Sequence, residues 1–254
     1  MNQQDALKDY LLRLADSTMI LGQRLSELSG KAPAVEEEMG IMNVALDLVG
    51  QARNWYEYVA DLEGNDCTAD QLAFLRDAPA YRNMLMVEQP NGDYAVTTAR
   101  QFFFDTWHYF TLQGLAQSND ERIAGIAAKA LKEVTYHLRR SSEWVKRLGD
   151  GTDESHERMQ AACDLLWRFT GELVSADEVD QMMAAAGIAP DPEQVASHWK
   201  QFIQEVLNEA TIMQQSHDAW MYKGGKMGTH TEHLGFILAE MQFLPRAYPD
   251  AKVW

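Results

Sequence analysis

FFFDTWHYF (residues 102–110) and KEVTYHLRR (residues 132–140) decide how this chain reads. The first places Asp105 and His108 three residues apart, and the second places Glu133 and His137 four apart. One helical turn separates carboxylate from imidazole in each, which is how four-helix bundles hold two metal ions. A complete site takes a Glu from each of two helices and a Glu-x-x-His from each of the other two. The helix that precedes these two reads Asp47-Leu48-Val49-Gly50 at the register where a Glu-x-x-His is needed. Counted from Glu133, the fourth place of the second motif is Tyr136; counted back from His137, its first place is Val134. A metal bundle with its metal site dismantled is the expectation, because losing neutral nitrogen donors leaves carboxylate repulsion uncompensated.

Working outward, apolar residues recur at helical spacing almost throughout, and no strand-like alternation of useful length occurs. Helices are predicted over roughly 5–28, 35–62, 96–116, 121–148 and 155–174. A short helix follows over 177–186, and Pro190-Asp191-Pro192 opens a long one to about Tyr222. Short turns fall near 71–76 and 80–85, and Glu88-Gln89-Pro90-Asn91-Gly92-Asp93 has turn chemistry. Thr229 and Glu232 read as a capping box for a last helix that Pro245 cuts near Leu244. No linker marks a domain boundary, so residues 1–254 are expected to form one all-α domain. Two long hairpins form its four-helix bundle, with additional C-terminal helices.

Composition narrows the function. A net charge of −16 argues against nucleic acid and against anionic lipid, and favours a basic partner. Two cysteines far apart, with no C-x-x-C, fit a reduced cytoplasmic protein. The N-terminus is too interrupted by charge for a signal peptide, and no apolar run is long enough to span a bilayer.

On the 35–62 helix, Ile41, Val44, Ala45, Leu48, Ala52, Trp55, Tyr56, Val59 and Leu62 form an apolar face. Opposite them lie Gly40, Asn43, Asp47, Gly50, Gln51 and Asn54, a stripe with one formal charge, expected to be covered by another helix or a partner chain. In the next helix Gln101, Asp105, His108 and Leu112 share a face amid Phe102, Phe103, Phe104, Trp107 and Phe110, so it should be buried on most sides. Asp105 and His108 read either as metal ligands or as a buried hydrogen-bonded pair. In the 121–148 helix, Ile123, Ala127, Ala130, Val134, Ser141, Val145 and Leu148 mark the core line, with His137 close to it. KGGKMGTH (223–230) puts Lys223 and Lys226 before a helix, either as a phosphate grip or as a turn. His230, Glu232 and His233 could ligate a metal, or cap and pack. Hydrolase and dinucleotide motifs are absent.

The stretches LDLVGQARNWYEY, MLMVEQPNGDYAVTTARQFFFDTWHY, KEVTYHLRRSSEWVKRLGDGTD, LWRFTGELVSADEVD and GGKMGTHTEHLGFILAEMQFL resemble the C subunits of phenylacetyl-CoA oxygenase (ring 1,2-epoxidase) complexes. The resemblance implies a ferritin-like fold and a place in a bacterial monooxygenase that epoxidises the ring of phenylacetyl-CoA. It implies a sister A subunit that holds the di-iron centre and binds the thioester, and a reductase fed by a nicotinamide cofactor. The C subunit then carries no cofactor of its own and pairs with the A subunit as a structural partner. Gly50 and Tyr136 stand where ligand histidines would otherwise be. Asp47, Asp105, His108, Glu133 and His137 become remnants, with no catalytic residue assigned. Two other readings stay open: an active di-iron or di-manganese protein using those residues, and an acyl-thioester-binding module using the 223–226 loop.

Overall fold

The structure is a computed structural model that describes residues 1–215 and 220–249. All regular elements among these are helical. They are α1 (Gln3–Ser26), α2 (Val35–Glu63), α3 (Ala69–Phe74), α4 (Tyr94–Leu115), α5 (Glu121–Gly149), α6 (Asp153–Trp167), α7 (Gly171–Val174), α8 (Glu178–Ala185), α9 (Pro192–Glu209), α10 (Glu232–Met241) and α11 (Phe243–Ala247), plus 3-10 turns at Ala78–Ala80 and Gly225–Met227. No helix among the described residues is long and apolar enough to cross a membrane. The chain divides into two compact units, Met1–Pro90 with Gly224–Trp254, and Asn91–Lys223.

The first unit is built on the α1–α2 hairpin. Asn2 caps α1 by accepting from the Asp5 amide, and Gly64, at φ 65°, ends α2 in a conformation open to glycine. The helices approach closely at Gly22, where a Cβ would stand 3.0 Å from Val49 Cγ2. Inside the unit the buried Asp16 carboxylate accepts from Tyr56 Oη at 2.5 Å, the Arg82 amide at 2.7 Å and the Arg76 guanidinium. These bonds tie α1 to α2 and to the segment after α3. Burial beside the Asp16 carboxylate pushes the Tyr56 phenol well above its ordinary range, so it stays a donor.

The second unit is built on α4 and α5, with α6 and α9 against α4. Asp93 caps α4 and Asp120 caps α5. Every residue of α4 from Thr97 to His108 is buried, as its aromatic density predicts. Trp199 Nε1 of α9 donates to the Phe103 carbonyl at 2.9 Å, and Phe103 packs edge-on against Trp167 of α6.

Four predicted boundaries are corrected. The 155–174 helix breaks after Trp167, where the Arg168 carbonyl accepts from the Tyr222 amide at 2.9 Å instead of from its own helix, and a short helix resumes at Gly171. The long helix ends at Glu209, not Tyr222, because Thr211 takes φ 58°; residues 216–219, also within that prediction, lie outside the described residues. The turn predicted at 80–85 is instead a 3-10 turn at Ala78–Ala80, after which Arg82 gives its amide to Asp16 rather than to a helix. Pro245 does not end the helical region. It sits in the first turn of α11, where the amide it lacks would have had no intrahelical partner.

Candidate functional site

The residues singled out for metal chemistry fall mainly on α4 and α5. Gln101, Asp105, His108, His137 and Ser141 are all buried. α4 carries Gln101 one turn before Asp105, and Gln101 Nε2 donates to Asp105 Oδ1 at 2.6 Å. α5 brings Ser141 across, and its Oγ donates to Asp105 Oδ2 at 2.8 Å. Both carboxylate oxygens therefore face neutral donors. Burial raises the Asp105 carboxyl to about 6, against the opposing pull of His137 and the two hydrogen bonds.

The Asp105–His108 hydrogen bond expected from the i,i+3 spacing is not formed. His108 has no hydrogen-bond partner on either ring nitrogen. Its ring stacks on Trp107, with centroids 6.0 Å apart, and lies 5.2 Å from Phe104. Burial, then the charge of His137, drives it down to about 3, so it is a neutral imidazole at physiological pH. It packs as an aromatic disc.

The remaining positions separate. Tyr136 is 41% exposed and Glu133 half-buried, whereas Val134 and His137 are buried. On α2, Gly50 is exposed and has no atom within 4 Å of a Cβ built on it; Asp47 is half-buried, and the buried pair is Leu48 and Gln51. The places assigned to lost histidines, Gly50 and Tyr136, thus face outward. The inward Glu-x-x-His register reads Leu48-x-x-Gln51 and Val134-x-x-His137. Reading that register from each helix's apolar face, instead of from the nearest acidic residue, recovers it from sequence. Among the described residues no three His, Cys, Asp or Glu side chains form a group able to hold an ion. A di-metal carboxylate centre needs two such sets, and these residues do not fit one.

Sequence reasoning missed Glu88 altogether. Its carboxylate is fully buried in the first unit and accepts from four donors: Asn83 Nδ2 at 2.9 Å, His230 Nδ1 at 2.9 Å, the Thr231 amide at 2.6 Å and Thr231 Oγ1 at 2.7 Å. The predicted capping box is thereby corrected. Thr231, not Thr229, is the N-cap of α10, and its hydroxyl serves Glu88 instead of capping. His230 is turned to Glu88 and the Tyr81 carbonyl, so it does not converge with the exposed Glu232. The glycines of KGGKMGTH have a steric reason: at Gly228, φ 80°, a Cβ would stand 2.2 Å from the Pro79 carbonyl oxygen. The segment is a packed connection into α10.

Two comparisons bear on this arrangement. The family model described as "Phenylacetic acid catabolic protein" matches residues 1–254. The chain is 48% identical over 249 residues to the C subunit of the 1,2-phenylacetyl-CoA epoxidase of Escherichia coli (strain K12), covering 98% of each chain. The aligned span covers 98% of this chain, so it takes in most of both units. The chain belongs to the phenylacetic acid catabolic protein family.

Proposed function

We propose that this chain is a structural, non-catalytic subunit of a multicomponent phenylacetyl-CoA epoxidase in aerobic phenylacetate degradation. On this reading residues 1–254 form one ferritin-like domain, a four-helix bundle with added C-terminal helices, working in the cytoplasm. The chain pairs with a catalytic A subunit that holds the di-iron centre, and a nicotinamide-dependent reductase supplies electrons. The observation that carries the reading is Asp105. Its two oxygens are taken by Gln101 and Ser141, beside an uncharged His108, in a helix pair whose inward register offers Val134 where a carboxylate is needed. With both oxygens hydrogen-bonded and His137 pulling on it, this carboxylate is satisfied within the chain without a cation.

The role follows from what an oxygen-activating bundle requires. Its ligand carboxylates are buried at a cost and need a rigid, dry surround to hold their geometry. A companion bundle supplies that surround without competing for metal. The test is to express the catalytic subunit with and without this chain and to quantify iron on each chain after separation. The expected result is about two irons on the catalytic subunit and well under one on this chain. Two things would overturn the proposal. One is stoichiometric iron on this chain that Asp105→Ala or His137→Ala removes; the other is full activity and stability of the catalytic subunit alone.

A further inference from the structure

Both ring nitrogens of His230 face oxygens. Nδ1 lies 2.9 Å from Glu88 Oε2, and Nε2 lies 3.1 Å from the Tyr81 carbonyl oxygen. The two side chains are 4% and 0% exposed, so bulk water is not at hand to replace either bond. A neutral imidazole has one N–H and serves only one of these oxygens. The Tyr81 carbonyl can only accept, so one proton sits on Nε2. A second lies between Nδ1 and Oε2. The carboxylate's other neighbours do not remove that need: the Thr231 amide can only donate, and Asn83 Nδ2 is turned to Oε2 by its second bond, to the Met84 carbonyl at 3.2 Å. The closed pair therefore holds two protons and is neutral overall. With one proton it becomes a buried negative charge with a nitrogen lone pair set against an oxygen, which is costly.

We infer that Glu88 and His230 form a proton-dependent latch on the segment that returns to the first unit at Gly224. Glu88 stands just before the chain leaves that unit at Pro90, and His230 just after it returns, 142 residues later. The charged neighbours are engaged elsewhere. Arg24 of α1 gives Nε and Nη2 to the Glu88 carbonyl at 3.0 and 2.7 Å, and Nη1 to Glu27. Arg82 gives Nη1 to the Tyr81 carbonyl at 2.9 Å and Nε to Asp9. Asp16 accepts from Arg76 and Tyr56. The Tyr81 phenol, pushed up to about 12 by burial, keeps its proton. In the first turn of α10, Glu232 is exposed and His233 half-buried. Once the latch opens, a histidine in water holds its second proton only below about pH 6.5, while a glutamate is ionised above about 4.3. Above neutrality the closed state binds one proton more than the open state. Its stabilisation, complete below about pH 6.5, is lost as pH rises, and the opening constant grows about tenfold per pH unit. Opening is local, because Gln242 still holds the segment through Tyr81 Oη and the Arg76 carbonyl.

The test is amide hydrogen exchange on the full chain from about pH 7 to about 9, corrected for the intrinsic base-catalysed rate, in wild type, His230→Gln and Glu88→Gln. The Thr231 amide, which donates to Glu88 Oε1 at 2.6 Å, reports the latch, and the α4 amides serve as the internal control. In wild type the opening constant at Thr231 should rise about tenfold per pH unit while that of α4 stays level. Neither variant has the second proton to lose, so both should show a level opening constant at Thr231. A wild-type constant that does not change with pH would overturn the latch, and so would a slope that persists in either variant. An equal slope in α4 would mean that the whole chain loosens, and would also overturn it. Should a variant fail to fold, the wild-type contrast between Thr231 and α4 decides alone.

Discussion

Replacing Asp105 with asparagine should stabilise this protein at neutral pH. The carboxyl is buried and its pKa stands at about 6, against an ordinary 3.8. Below about pH 4 the folded and unfolded states both hold the proton. Between about 4 and 6 the folded state keeps it while the unfolded state has released it, so stability falls as pH rises. Above about 6 both states are ionised and the loss is complete. A displacement of about two units, at about 1.4 kcal/mol per unit, amounts to roughly 3 kcal/mol against folding at pH 7. Asparagine has the size of the protonated acid. Its amide oxygen can accept from Gln101 Nε2, and its amide nitrogen can donate to Ser141 Oγ, which lies 3.3 Å from the Leu138 carbonyl and can turn its own proton there. Some charge-assisted strength is lost, so the expected gain is about 1–3 kcal/mol at pH 7, shrinking to nothing below about pH 4. The assay is urea unfolding of wild type and Asp105→Asn across pH 4 to 8, read as a difference so that titrations common to both cancel. A loss of more than about 1 kcal/mol at pH 7, or a difference that does not change with pH, would refute the reasoning. The first outcome would mean that the charge itself is needed, as a ligand's would be.

Other expectations follow from single contacts. For His108, lowered to about 3 by burial, the folded state stays neutral while the unfolded state protonates below about 6.5, so stability is lost as pH falls through that window. His108→Phe should remove that share of acid sensitivity and, since both ring nitrogens lack partners, leave pH 7 stability within about 1 kcal/mol in urea titrations. Glu88→Ala strands four donors and should cost about 3–5 kcal/mol, with the Thr231 amide losing hydrogen-exchange protection before the α4 amides do. Gly149→Ala would put a Cβ 2.3 Å from the Ala210 carbonyl oxygen, and the shift needed should lower thermal stability by about 1–3 kcal/mol.

Periodicity and caps made the long helices legible. α1, α2, α4 and α5 fall within a few residues of their predicted limits, because Asp93, Asp120 and Gly64 act locally. Local signals failed where a distant segment intervened. The helical pattern is interrupted after Trp167, where the Arg168 carbonyl takes the amide of the distant Tyr222, and Pro245 lies in the first turn of a short helix instead of ending one. In the candidate site, Asp105, His108 and His137 were legible as buried from their aromatic and apolar neighbours. The register was misread at Gly50 and Tyr136, because acidic residues drew the count away from the buried face by one position.

The sequence by itself determined that this protein is helical, that α4 is buried nearly all round, and that too few imidazoles stand at metal-binding spacing. These properties repeat every turn or lie within one, so they need no knowledge of neighbours. Only the tertiary structure decided what the polar residues do. Asp105 is held by a serine 36 residues away, and Glu88 binds a histidine 142 residues away. A hydrogen bond forms between groups that packing brings within about 3 Å, and separation along the chain carries no record of that distance.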